Sequence, residues 1–307
     1  MSGVLRETGY ADISSGSASQ FIPELFSGKM IEKLYLNTIF GEISNTDYEG
    51  EISSQGDSVV IRTTPSVTIN DHKVGQALVY ETLESPSVKL NIDQAKSFSF
   101  RIDSIDKFQS DINLIENWSN DAGEQMKIAI DASILGSVFA DVAAENAGAN
   151  AGVKSGNINL GITATPVVLT KANVIDHLLA IGLVMDEQNI PDSQRWAALP
   201  PWMCMLVKGS DLKDASLSGD GTSMLRNGKI GMIDRFTIYS TNNLSMSAGV
   251  TDIIFGHKKA LTFAAQMTEM DSLKNPNAFG DLIRGLNVYG FSVIDPKAIG
   301  HSVVVKG

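Results

Sequence analysis

The stretch from Ser110 to Ala147 constrains this chain more than any other. It contains no proline, and Ile112, Ile115, Trp118, Ala122, Met126, Ala129, Ile130 and Ile134 recur at three- and four-residue spacing. That pattern predicts one amphipathic helix. Ser110 suits its N-cap, and Asp111 and Glu116 suit the positive end of the helix dipole. Gly148 stands where a left-handed C-terminal cap belongs, followed by small, flexible residues as far as Gly152. Asn117, Asn120, Asp121, Glu124, Lys127 and Asp131 fill the opposite, polar arc. Ala132 to Ala140 carries no charge, so this part is expected to be buried nearly all round. It is far shorter than the ~20 residues of a membrane helix.

Such a helix would be about 55 Å long. A compact globule of 307 residues has a diameter of roughly 50 Å. A flat or elongated subunit with the helix as its spine fits these lengths. A long helix crossing a larger α/β domain fits as well, and both readings stay open.

The 307 residues suffice for one large domain or two small ones. The net charge of -11 argues against a general nucleic-acid binder, which needs clustered Lys and Arg to neutralise phosphates. It does not exclude a protein that merely surrounds nucleic acid. The single cysteine, Cys204, lies in an apolar run and reads as a buried structural thiol. No signal peptide or membrane span is expected, which points to a reducing cytoplasm.

In chain order, Met1 to Gln20 reads as a mobile or extended arm. Phe21, Ile22, Leu25 and Phe26 follow, with Pro23 placed to start a short helix. These residues pack either on their own core or on a neighbouring chain. Asp57 to Ile69 and Val88 to Asp103 read as two extended limbs, joined by a polar tip that includes His72, Lys73 and Gly75. The limbs form either a projecting ribbon or part of an ordinary sheet. A projecting two-stranded ribbon is marginal alone, so it would have to lie on another subunit.

Thr170 to Asn189 predicts a second helix with Thr170 as N-cap. Arg195 to Val207 predicts a buried strand broken by Pro200 and Pro201. Ser218 to Gly228 predicts a Gly-rich loop, Ile230 to Ser240 a strand pair, and Thr251 to Phe255 and Ala260 to Gln266 two strands. Thr268 to Phe279 is polar and reads as a loop, with a strand from Leu282 to Val293 and a short one at Ser302 to Lys306. The class is α+β with mostly antiparallel strands.

Catalytic chemistry is not prompted by the sequence. His72, His177, His257 and His301 show no metal-ligand spacing, and no Walker A, G-x-S-x-G or H-E-x-x-H motif occurs. Gly219-Asp220-Gly221 lacks the rest of a dinucleotide fingerprint. Asp103 with Asp106, and Asp186 with Glu187, read as solvated charges. No cofactor, metal or catalytic residue is expected.

The order of parts resembles a tailed-phage major capsid protein with the HK97-type fold. FIPELFSGKM (Phe21 to Met30) is similar to the arm of one subgroup of these coat proteins. YEGEISSQGDSVVI (Tyr48 to Ile61) and LNIDQAKSFSFRIDSIDKFQS (Leu90 to Ser110) resemble its extended loop and the return into the spine helix. FGDLIRGLNVYGFSVIDPKAI (Phe279 to Ile299) resembles its C-terminal strand.

The resemblance implies an N-terminal arm at 1–46, an extended β-hairpin E-loop at 47–100 lying over a neighbour, and a P domain at 101–150 with 267–293. It implies an A domain at 151–266 with 294–307. Subunits would form hexamers and pentamers of an icosahedral virion shell around double-stranded DNA, contacted non-specifically and without a membrane, assembled in the host cytoplasm. Contact candidates are Phe21, Ile22, Pro23, Leu25, Phe26, His72, Lys73 and Gly75. Some members crosslink an E-loop lysine to a neighbour's asparagine, for which Lys73 and Asn287 are the weak candidates. Few residues precede Phe21, so a separate scaffolding protein is expected, with a portal and a decoration protein as further partners. The alternatives are an encapsulin-like shell and, from another class, a soluble hydrolase or binding domain with its site at Ser218 to Gly228.

Overall fold

The largest sheet has seven strands. Its order is β4 (Val167–Leu169), β12 (Ile299–Lys306), β9 (Val250–His257), β5 (Arg195–Leu199), β7 (Phe236–Ser240) and β6 (Met232–Ile233), with β8 (Met246–Ser247) pairing β9. The computed structural model describes residues 38–47, 58–62, 65, 67–77, 80–83, 87–109, 114–210, 231–275 and 279–307. β4 with β12 and β5 with β7 are parallel, while the other pairs of this sheet are antiparallel. A three-stranded antiparallel sheet, β10 (Leu261–Lys274), β11 (Gly280–Val293) and β3 (Gln94–Asp103), stands apart from it. A two-stranded ribbon joins β1 (Ser58–Arg62) to β2 (Ser87–Asn91).

The large sheet is buried on both faces because successive strand side chains point to opposite sides. Ala197, Leu199, Ile253 and Phe255 face α4 (Val174–Glu187) and α5 (Pro201–Lys208), where Leu178, Ile181, Val184, Met203 and Val207 cover them. Trp196, Ala198, Ile254 and Ile299 face the other way. There they meet Ile130, Ile134 and Leu135 of α3 (Leu114–Leu135), Ile39 and Ile43 at α1 (Phe40–Ile43), and Phe263, Tyr289 and Val293 of the smaller sheet.

The spine helix is shorter than its periodicity suggests. It has 22 residues, about 33 Å, so its length no longer demands a flat subunit. Ser110, Asp111 and Ile112 lie outside the described residues. At the other end Gly136 and Ser137 form a turn, and the Ser137 hydroxyl donates to the Ser133 carbonyl at 2.7 Å. Serine competing for helix carbonyls after a glycine ends the α-helix. Short 3-10 turns at Val138–Asp141 and Ala144–Asn146 follow, so Gly148, at φ 83°, turns a loop and caps no α-helix.

Two further expectations about this helix fail. Ala132, Gly136, Ser137 and Ala140 are exposed, because the sheets cover only the Ile134, Leu135 and Val138 side. Asp131, placed in the polar arc, is fully buried. Its Oδ1 accepts from the Ile39 and Phe40 amides at 3.1 and 2.9 Å, and its Oδ2 accepts from Asn243 Nδ2 at 2.6 Å. These donors compensate the loss of water.

Elsewhere, the predicted strand at Arg195 to Val207 is a strand and a helix, since Pro201 sits at the helix N-terminus, where its missing N–H costs nothing. The second helix starts at Val174, and Asn173 Oδ1 takes the Thr170 amide at 2.7 Å instead of Thr170 capping it. The polar run after Thr268 is strand as far as Lys274. Its charges find cross-strand partners, Asp271 with Arg284 at 2.8 Å and Lys274 with Asp281 at 2.6 Å, which stabilise the ladder. Among the described residues the limbs pair over five positions, and β3 leaves the ribbon to pair with β11.

Two tests follow from this packing. A Cβ at Gly290 would lie 2.1 Å from the Asn91 carbonyl oxygen and 2.9 Å from the Ile92 Cα, both backbone. Gly290→Ala is expected to cost about 2–3 kcal/mol, read as a lower thermal midpoint. The second concerns buried His177, whose pKa burial pushes down from 6.5 to about 4. Unfolding lets this ring take up a proton, so its share of stability is whole above pH 6.5 and falls away as pH drops toward 4. That share is about 3 kcal/mol at most. His177→Phe should flatten the stability-versus-pH curve in this window by about one proton, measured by denaturant titration.

Candidate assembly surface

The loop between β1 and β2 exposes apolar side chains. Ile69 is 89% and Tyr80 88% exposed, Val74 is fully exposed, and Val67 and Leu83 are open as well. Water contact with so much apolar surface on one segment marks a surface made for covering. The loop is held together by polar bonds. Glu81 accepts from the Thr68 amide and hydroxyl at 3.2 and 3.3 Å, linking the two sides. At the tip, the Gln76 amide donates to the Lys73 carbonyl at 3.0 Å, and Gly75 takes φ 85°, which favours glycine. His72, Lys73 and Gly75 thus sit together on an exposed turn.

The ribbon's base is fastened to the body. Ile61 and Leu90 of the ribbon pack with Ile92 and Ala264, and Val288 of β11 adds to the cluster. Among the described residues the apolar side chains beyond this base have no such cover, and Gly75 shapes the turn at the tip.

Other exposed apolar groups lie at the far end of the three-stranded sheet. Ile105 and Phe108 on α2 (Ser104–Gln109) are exposed, as is Phe279, whose carbonyl accepts from the Ser104 amide at 3.4 Å. Leu179 and Leu183 on α4 and Met205 on α5 are half open on the outer face of the large sheet's helices. Isolated apolar residues in polar surroundings were the signal available for Val74 and Tyr80, and the sequence reading passed over them.

The remaining candidates are placed as follows. Phe21, Ile22, Pro23, Leu25 and Phe26, and the loop at Ser218 to Gly228, lie outside the described residues. Asn287 is half-buried in β11, beside a groove that Phe98, Gly123 and Met126 also line, and Lys73 is on the loop tip. Cys204 is buried, and burial pushes its thiol pKa up, the reverse of an activated nucleophile.

The titratable groups serve the scaffold. Asp186 and Glu187 are more than solvated charges. Asp186 binds the buried Arg195 at 2.8 Å and Arg235 at 2.6 Å, while Glu187 accepts from the Lys154 and Ser155 amides at 2.7 and 3.1 Å. Although partial desolvation pushes it up, the Arg235 and Arg195 guanidinium contacts hold the Asp186 carboxyl below the usual range. His177 Nε2 lies 2.9 Å from Ser302 Oγ. Because that hydroxyl donates to the Leu160 carbonyl at 2.8 Å, the ring must donate to it and cannot act as its base. Among the described residues no cluster of three metal-ligating side chains occurs, and no helix is long and apolar enough to cross a membrane.

A solved structure from Mycobacterium phage Che8 is 27% identical and matches 92% of this chain and 96% of its own, with a TM-score of 0.76. The capsid of cyanophage P-SCSP1u, at 15% identity, matches 99% of both chains with a TM-score of 0.72. The mature capsid of bacteriophage PhiM1, at 16%, also matches 99% of both with 0.69. No curated protein matches the sequence. The phage capsid protein family model matches residues 88–302, well over half of the chain. The chain belongs to the phage capsid protein family, as a major capsid protein with the HK97-like fold.

Proposed function

We propose that this capsid protein assembles as hexamers and pentamers into a closed icosahedral shell around double-stranded DNA. The observation that carries this is the loop with Ile69, Val74 and Tyr80 laid open, since its own chain leaves them uncovered. Residues 1–46 act as the arm and the ribbon as the E-loop over the adjacent subunit. We set the loop's base at Asp93 and not at Phe100, because β3 pairs with β11 from Gln94 onward. The P domain then combines β3, α2 and α3 with the distal parts of β10 and β11, joined to the A domain near the register shift between Ala265 and Met267. The A domain is the seven-stranded sheet with α4 and α5.

The acidic balance supports loose, non-specific contact with packaged DNA. A separate scaffolding protein, a portal and decoration proteins are the further partners of this reading, with assembly in the host cytoplasm. The family match favours a phage shell over an encapsulin-like compartment. A Lys73–Asn287 crosslink has little support, since Asn287 is half-buried in the body of the chain.

The tests separate folding from assembly. Purified chain should give capsomers or megadalton particles by sizing and negative stain, whereas a stable monomer with small-molecule activity would overturn the reading. Ile69→Ser with Tyr80→Ser should change subunit stability by no more than about 0.5 kcal/mol and reduce particle yield. Removing residues 68–83 should leave a folded subunit that forms no shell, and loss of folding instead would show the loop belongs to the core.

A further inference from the structure

Gly123 stands in the middle of α3, where a glycine weakens a helix. The packing of its own chain gives no reason for it, because a Cβ there would meet nothing within 4 Å. Gly136 and Gly285 differ, since a Cβ would lie 2.9 Å from the Ala132 carbonyl oxygen and 2.3 Å from the Phe98 ring. Gly123 instead opens one wall of a groove of about 240 Å³ between α3 and the three-stranded sheet. Its apolar lining is Phe98, Met126, Ile130, Met270 and Leu286. We propose that this groove receives the Tyr80 ring of a second copy of the chain. This docking rests on the ribbon lying over an adjacent subunit, and it names the spot where the ribbon lands.

The chemistry of the groove selects an aromatic ring. Trp118 meets Phe100 edge to face at 5.9 Å, and Phe100 stacks with Phe98 at 6.1 Å. The row ends at Phe98, which lines the groove, and among the described residues no further ring continues it. A fourth ring in the groove would extend the row at the usual centroid spacing of about 4.5–7 Å. Met126 and Met270 add polarizable sulfurs, which suit an aromatic edge. An apolar cavity of about 150 Å³ holds benzene, so this larger groove has room for a phenol. Ser119 and Glu269 line it as well, and either can accept the phenol O–H.

Tyr80 matches these demands. Its own chain leaves it 88% exposed and leaves the groove open, so each lacks what the other offers. Phe108 and Phe279 are as exposed, but they carry no hydroxyl and stand on the body of the chain at the far end of the sheet. Ser119, Gly123, Met126 and Ile130 lie three or four residues apart, on one face of α3. Any side chain at position 123 would project into the space the ring needs. A tyrosine seated in a pocket away from water is a common anchor of protein interfaces. The loop of one copy and the groove of the next are different surfaces, so the contact runs head to tail. Contacts of that kind close into rings when the rotation fits, which agrees with hexamers and pentamers.

Photocrosslinking on the full-length chain tests the contact directly. With p-azido-phenylalanine in place of Tyr80, illuminated capsomers or particles should give two-chain products on a denaturing gel. Peptide mapping should join position 80 to residues 119–130 or 269–287 of another copy. Gly123→Leu fills the groove, so it should keep or raise the thermal midpoint of the subunit while lowering particle yield about tenfold or more. A glycine needed only by its own chain would give a lower midpoint instead. Tyr80→Phe keeps the ring and should assemble better than Tyr80→Ala. The groove is refuted, with the shell left standing, by crosslinks that map elsewhere or stay within one chain, or by Gly123→Leu assembling like the wild type. A wild-type chain that stays monomeric removes the shell and the groove together. If Gly123→Leu does not fold, the crosslink map decides.

Discussion

The apolar cluster at the C-terminal end of α3 is the contact on which the rest depends. Both larger sheets, α1 and the turn after α3 bury side chains there. Each fully buried Ile, Leu or Phe contributes roughly 1.5–3 kcal/mol, which must offset the entropy of ordering elements far apart in sequence. Polar side chains around the cluster serve the backbone of the connectors, which lack sheet or helix partners. Asn146 donates to the Lys297 and Ile299 carbonyls at 2.7 and 2.8 Å. Arg195 donates to the Ile190 and Pro191 carbonyls, and Asp131 accepts from Ile39 and Phe40. The interior is thus sealed by single side chains that close its loops.

This division explains what could be read in the sequence. Helix α4, strands β5, β7, β9 and β12 and the hairpin at Asp234–Arg235 follow local periodicity and turn chemistry and were legible, whereas the short strands β4 and β8 were not. The fold and the family were legible through the resemblance, and the length of α3 was not. Its end depends on a serine bonding back to carbonyls, and a 3.6-residue period carries no sign of that. Asp131 looked like a solvated residue because the chain that covers it comes from residues 92 and 112 positions away. The strand from Thr268 to Lys274 looked like a loop because its charges are paired only across the ladder. In each case tertiary partners overrode a local signal.

The candidate surface was legible in part. Glycine and polar residues at 70–76 announced a turn, and Gly75 does adopt a left-handed conformation. Which apolar neighbours stay uncovered was not readable, since Ile69 in an extended limb has the same pattern whether the strand is paired or free. Among the described residues, pairing covers Ser58–Arg62 and Ser87–Asn91, and Ile69, Val74 and Tyr80 are left to solvent.

The position of β12 bears on how such a chain reaches this state. It is the last strand in sequence, yet it lies between β4 and β9 inside the sheet. Until it arrives, β4 has no partner and the edge of β9 lies bare along most of its length. An open edge of that kind pairs readily with other chains. Parallel pairing with β4, more than a hundred residues earlier, is also slow to form. The large sheet cannot close before β12 is in place, and until then the edge of β9 that β12 covers is open to other chains.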